Sequence, residues 1–169
     1  EYDPYSTPGN AGDLAKAQAE MKQSKYDPGK TGKCTASVCK GVLTIADTRS
    51  VDTRMVPVLE ADAAKIGITL KVRAINGAYP TIQTPSKNVP LAERPSWGKD
   101  YADPYTFFAE LFDSSTIIKS GNTNYALVGV TPAIAKAVGA SGNVTNVPSV
   151  DSDIAACSAK LAQDRTDCW

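Results

Sequence analysis

Apolar residues recur along the chain with two periods, and the switches between those periods set the expected elements. Leu14, Ala17 and Met21, among neighbouring alanines, form a stripe at helical spacing. Asp13 stands just before the stripe and can cap the first free N–H groups, so a helix is predicted over 13–24. Residues 41–47 (GVLTIAD) are β-rich and read as a strand. Met55, Leu59, Ala63 and Ile66 return at helical spacing, and Gly67 suits a left-handed end to that helix. The helix begins at Ser50 or Asp52, and Pro57 within it requires either a later start or a kink. Residues 68–75 alternate apolar and polar, as a strand with one buried face does. Strand, helix and strand in that order make a βαβ unit with parallel strands.

The rest is less regular. Three prolines punctuate 79–90, which reads as loop or a short broken helix. A third strand is predicted over 91–96, confined by Pro95 to an edge or a strand end. Phe107, Phe108, Leu111 and Phe112 give a helix to about 112, started by Asp103-Pro104. A loop over 113–124, a strand over 125–130 and a short helix over 133–138 stopped by Gly139 follow. The loop at 142–148 carries Asn143-Val-Thr145, a glycosylation acceptor pattern short enough to arise by chance. Ser149 or Asp151 caps a last helix to about 164, with Ile154, Cys157 and Leu161 on one face. Residues 1–11 read as an entry linker, and 12–169 as a single lobe.

Charge narrows the function. The 169 residues carry 18 basic and 18 acidic side chains. That balance argues against a nucleic-acid partner and against an electrostatic membrane anchor. No apolar run approaches the roughly 20 residues of a membrane span. Glu1, where Met is absent, suggests a processed product or an excised piece. The chain has no histidine, which removes the commonest general base and most zinc sites, and nothing in it calls for a metal or cofactor.

The cysteines are Cys34, Cys39, Cys157 and Cys168, which allow three pairings. Their spacings do not fit a four-thiolate zinc site. Two local disulfides, Cys34–Cys39 and Cys157–Cys168, in an oxidising compartment are favoured over buried reduced thiols. Bridged Cα atoms lie within about 7 Å, whereas eleven helical residues advance about 16 Å. The second bridge therefore predicts that the chain turns back at 165–167.

Candidate chemistry concentrates in 94–105, Arg-Pro-Ser-Trp-Gly-Lys-Asp-Tyr-Ala-Asp-Pro-Tyr. An indole beside a carboxylate, on a rigid joint between strand and helix, suits an ammonium group. The blander alternative makes Trp97 core, Asp103 a cap and Asp100 a solvated acid. The pattern Trp97-x-x-Asp100-Tyr-x-Asp103-Pro, followed by an aromatic helix, resembles a segment of the C-terminal lobe of the oligopeptide/dipeptide-binding proteins of ABC transporters. Asp13-Leu-Ala-Lys-Ala-Gln-Ala-Glu20 and the helix ending Lys65-Ile-Gly-Ile68 are similar to that family as well, and the likeness spans about 12–115.

The resemblance implies an α/β fold, a βαβ-containing lobe of a periplasmic-binding-protein-like type II fold with a small mixed sheet flanked by helices. It implies that Trp97 lines the ligand cleft, that Asp100 pairs with the α-ammonium of a bound peptide, and that Ser96 and Gly98 beside the indole also contact ligand. Asn122 and Asn124 are weaker cleft candidates, more simply read as turn residues. The implied partners are a short peptide or another small solute, the second lobe of the same protein and the membrane permease of an ABC importer. The implied location is extracellular or periplasmic, with lipid anchoring to the cell surface as one form. Ser96 stands where the family often has Gly, and Lys99 puts a cation beside Asp100. A secreted interaction domain without a small ligand is the alternative. A hydrolase using Asp100 and Asp103 is a third reading, with nothing to mark a nucleophile.

Overall fold

The computed structural model describes residues 6–49, 51–93, 96–140 and 145–169. Ser50, Arg94, Pro95, Asn143 and Val144, each part of an expectation above, lie outside the described residues, as do the first five residues of the linker.

Three strands, β1 (Val42–Asp47), β2 (Leu70–Ile75) and β3 (Leu91–Ala92), form a sheet in the order β2-β1-β3. All pair in parallel, Val42 opposite Leu70 through Asp47 opposite Ile75, and Thr44 opposite Leu91. The expected α/β architecture with its βαβ unit is thus observed, and the sheet expected to be mixed is parallel throughout the described strands. Thr44, Ile45, Ala46 and Asp47 are all buried, as a central parallel strand covered on both faces requires. β3 is shorter than predicted. Glu93 N–H still donates to Ile45 O at 2.8 Å, but Ser96 is already bonded to the Tyr79 hydroxyl, off the sheet.

Helix α1 (Leu14–Gln23) starts as predicted, with Asp13 Oδ1 accepting the Lys16 N–H at 2.8 Å. The crossover helix α2 (Val56–Lys65) starts late, after a 3₁₀ turn at Val51–Met55. Pro57 falls in its first turn, where a missing N–H costs nothing. The shifted start rotates the buried stripe: Val56 is buried, whereas Met55 is 55% exposed.

The second half is helical: α3 (Tyr79–Ile82), α4 (Tyr105–Phe112), α5 (Pro132–Val138), α6 (Asp151–Ser158) and α7 (Ala162–Cys168). The strand predicted over 125–130 is instead a pair of turns. Asn124, fully buried, explains why: its Oδ1 accepts the Val128 N–H and its Nδ2 donates to Val128 O, both at 2.9 Å. Those backbone groups are then unavailable to a ladder. The turns deliver Val130 to a core with Ile117, Ala135 and Val138.

The last helix is two. The break falls at 159–161, before the predicted turn, and Leu161 is 81% exposed. Folding α7 back beside α6 brings the Cα atoms of Cys157 and Cys168 within 5.4 Å. The pair docks on α4, where Trp169 stacks on Phe108 with centroids 5.1 Å apart. Arg165 forks onto Asp103 through Nε (2.6 Å) and Nη2 (2.9 Å), and its Nη1 donates to the Ser158 carbonyl that ends α6.

Both expected disulfides are present. Replacing both cysteines of a pair by serine is expected to cost about 2 kcal/mol for the shorter Cys34–Cys39 loop and about 3 kcal/mol for Cys157–Cys168. Urea unfolding measures both; equal midpoints for wild type and either variant would contradict the loop-closure account.

Candidate functional site

The carboxyl ends of β1 and β3 open into a polar cleft of about 300 Å³, walled by Asp47, Arg49, Ala78, Tyr79, Glu93 and Ser96. The topology puts it there. Asp47 ends β1, Gly77 and Ala78 follow β2, and Glu93 follows β3. From β1 the chain crosses to β2 on one side, while β3 lies on the other. Open parallel sheets bind ligands at the strand carboxyl ends where connections diverge in this way.

Asp47 is the hub. Its Oδ1 accepts the Arg49 N–H (2.9 Å), Arg49 Nε (3.1 Å) and the Gly77 N–H (3.3 Å). Its Oδ2 accepts Arg49 Nη2 (2.8 Å) and the Ala78 N–H (2.9 Å). The Arg49 guanidinium first, and these backbone donors next, hold its carboxyl well below the usual carboxylate range. The same contact raises Arg49. Glu93 Oε2 faces β1 and accepts the Asp47 N–H at 3.3 Å. Tyr79 completes the wall, its hydroxyl within 3.2 Å of both Ser96 O and Ser96 Oγ.

The segment nominated by the sequence runs from this wall to α4. Ser96 lines the cleft. Trp97 is half-buried, its Nε1 donating to Thr106 O at 3.0 Å. Asp100 is exposed; its Oδ2 accepts the Thr106 hydroxyl at 2.8 Å, and its N–H donates to the same Oγ1 at 3.1 Å. Buried Thr106 therefore holds indole and acid in one register. Among the described residues Asp100 Oδ1 takes no hydrogen bond. Gly98 is exposed, with nothing within 4 Å of where a Cβ would stand. Asp103 has other partners, taking the Tyr105 N–H at 2.8 Å and the Arg165 fork. Asp100 and Asp103 are thus held by different partners. Asn122 and Asn124 are 2% and 0% exposed, which makes Asn124 a structural staple and not a cleft residue.

Sequence reasoning missed Asp47, Arg49, Tyr79 and Glu93. The available signal was an acid closing a β-rich run with an arginine two residues later. A larger concavity, about 610 Å³, lies at the amino ends of the strands between α1 and α2. Its polar groups are already engaged: Asp13 caps α1, and Asp62 pairs with Lys65 at 2.7 Å.

Acid sensitivity follows from the carboxylates. Asp103 is lowered by Arg165, and Asp151 by the Ser114 hydroxyl. Burial would raise Asp27, but the N–H groups of Thr31 and Gly32 and the Thr31 hydroxyl outweigh it. A carboxylate whose folded value lies below its unfolded one stabilises fully above the unfolded value, here near 3.8, and that stability is lost as pH falls further. With no histidine, the melting temperature is expected to be flat from about pH 8 to 5 and to drop below about pH 4. A melting series by circular dichroism checks this; a drop already between pH 7 and 5 would count against it.

Residues 1–119 match the family model described as Bacterial extracellular solute-binding proteins, family 5 Middle. No curated protein and no solved structure matches the chain. No helix among the described residues is long and apolar enough to cross a membrane.

Proposed function

The chain belongs to the bacterial extracellular solute-binding proteins of family 5, and we propose that residues 12–169 are the C-terminal lobe of a two-lobed member that captures short peptides for an ABC importer. The role is binding, not catalysis. The second lobe closes over the carboxyl edge of the sheet, and the loaded protein docks on a membrane permease outside the cell. The observation that carries the reading is the cleft at the β1/β3 ends, with Ser96 in its wall and the Trp97–Asp100 pair on the same short segment.

In this reading Asp100 takes the peptide ammonium through Oδ1, Trp97 packs against the first residue, and Ser96 and Gly98 leave room for the main chain. Gly98 has open space around it, so a backbone can approach. Recognition of main-chain groups accepts many peptide sequences. Thr106 is a positioning residue, since it fixes both Trp97 and Asp100.

The test is calorimetry of the two-lobed protein with tri-alanine. Asp100→Asn is expected to weaken binding by about thirtyfold or more. Asp103→Asn, which loses the Arg165 fork, is expected to lower the melting temperature and leave affinity within about threefold. Equal loss of affinity from both substitutions would remove Asp100 from its assigned role. Mass spectrometry of solute co-purifying with that protein tests the peptide class.

A further inference from the structure

We propose that the open edge of β2 is a docking strand for an extended acidic segment of a protein partner, independent of the solute cleft. The sheet order β2-β1-β3 leaves one side of β2 without a neighbouring strand among the described residues. The ladder fixes which groups face outward. Val42 N–H donates to Thr69 O (2.8 Å) and Thr48 N–H to Ile75 O (2.9 Å), so the odd-numbered residues of β2 turn their backbone groups to β1. Leu70, Val72 and Ala74 therefore point their N–H and C=O groups away from the sheet. Among the described residues no backbone group of another segment takes them up. Ala74 is exposed, and Leu70 and Val72 are half-buried. An unpaired row of this kind accepts a further strand. Charge selects which strand. Lys71 and Arg73 alternate along β2, stand on one face and are both exposed. Their register partners on β1 are Leu43 and Ile45, which supply no countercharge. Neither cation forms an ion pair among the described residues. A second copy of β2 would set these cations against their own kind, which cross-strand pairing penalises. A strand with acids at alternate positions instead places a carboxylate opposite each cation. Its intervening apolar side chains then fall on the face of Leu70 and Val72. The cleft lies at the carboxyl ends of β1 and β3, across β1 from this edge, so cleft and edge can be filled together.

The probe is the acetylated, amidated hexapeptide Glu-Val-Glu-Val-Glu-Val. It is added to the full-length protein, and hydrogen exchange is read residue by residue with mass spectrometry. Without peptide, the amides of Leu70, Val72 and Ala74 should exchange fast. With saturating peptide all of them should slow. Lys71→Glu combined with Arg73→Glu changes only exposed side chains, so the fold is kept. That variant should bind the acidic peptide about tenfold or more weakly and take up the matching lysine peptide instead. Two controls on the wild type separate strand addition from charge. One is the lysine peptide. The other is an acidic peptide with proline for each valine, which keeps the charge but cannot form the ladder. Neither should slow the outward amides. Outward amides already slow in the free protein would mean that the edge is covered, and would overturn the proposal. No slowing by the acidic valine peptide would overturn it as well. So would equal slowing by the proline peptide, which reports charge attraction alone, or by the lysine peptide.

Discussion

Gly67→Ala is expected to destabilise the chain by about 3–4 kcal/mol, although it adds one methyl group. Gly67 sits at φ 81°, the left-handed region. It closes α2 with two bonds, its own N–H to Ala64 O (3.0 Å) and the Ile68 N–H to Ala63 O (3.0 Å). That pair is the Schellman arrangement, and it commits the position to positive φ. An alanine pays about 1–2 kcal/mol for that conformation alone. The larger obstacle is space. A Cβ would stand 2.6 Å from Cys34 O and 2.9 Å from Cys34 N, both backbone atoms. Cys34 cannot retreat freely. Its N–H donates to Ile66 O at 2.7 Å, and its side chain is bridged to Cys39. Urea unfolding of Gly67→Ala measures the effect. A loss below about 1 kcal/mol would mean that the Cys34 loop moves aside, contrary to the packing described here.

The joint at Gly67 also shows what local pattern conveys. Helical spacing up to Ile66, a glycine and then alternation are signals carried by adjacent residues, and the β1-α2-β2 unit followed from them. The cleft is different. Asp47, Gly77, Ala78, Glu93 and Ser96 are brought together by strand order, which no neighbouring residues encode. The segment holding Trp97 and Asp100 was legible because its residues are contiguous and resemble a family motif. Its coupling through Thr106 was not, because the buried threonine lies on the following helix. The split of the last helix was half legible. The Cys157–Cys168 bridge required a turn, but its place was set by how α7 reaches α4 with Arg165 and Trp169.

The misread segment at 125–130 leads to the second large effect. Tyr-Ala-Leu-Val-Gly-Val has strand composition, yet the Asn124 side chain takes its backbone partners. Asn124→Asp keeps the shape and removes the donor. Nδ2 now gives hydrogen bonds to Val128 O at 2.9 Å and Asp113 O at 3.2 Å. An ionised aspartate would point an oxygen at both carbonyls from a position with 0% exposure. Burial and those acceptors both favour the protonated acid, so its folded pKa would rise above the ordinary carboxylate value. The sign is then opposite to that of Asp47. Stability is retained below the unfolded value and is lost as pH rises toward the folded one. Asn124→Asp is therefore expected to cost about 4 kcal/mol or more at pH 7, and measurably less near pH 4, where the acid can still donate one hydrogen bond. Asn124→Ala, which removes the side-chain partner of the Val128 N–H but buries no charge, should cost about 3 kcal/mol with no such pH dependence relative to wild type. Urea unfolding of the three proteins at both pH values measures this. A deficit for Asn124→Asp equal to that of Asn124→Ala at both pH values would show that the turn relaxes to admit water, and that the buried amide is not what holds it.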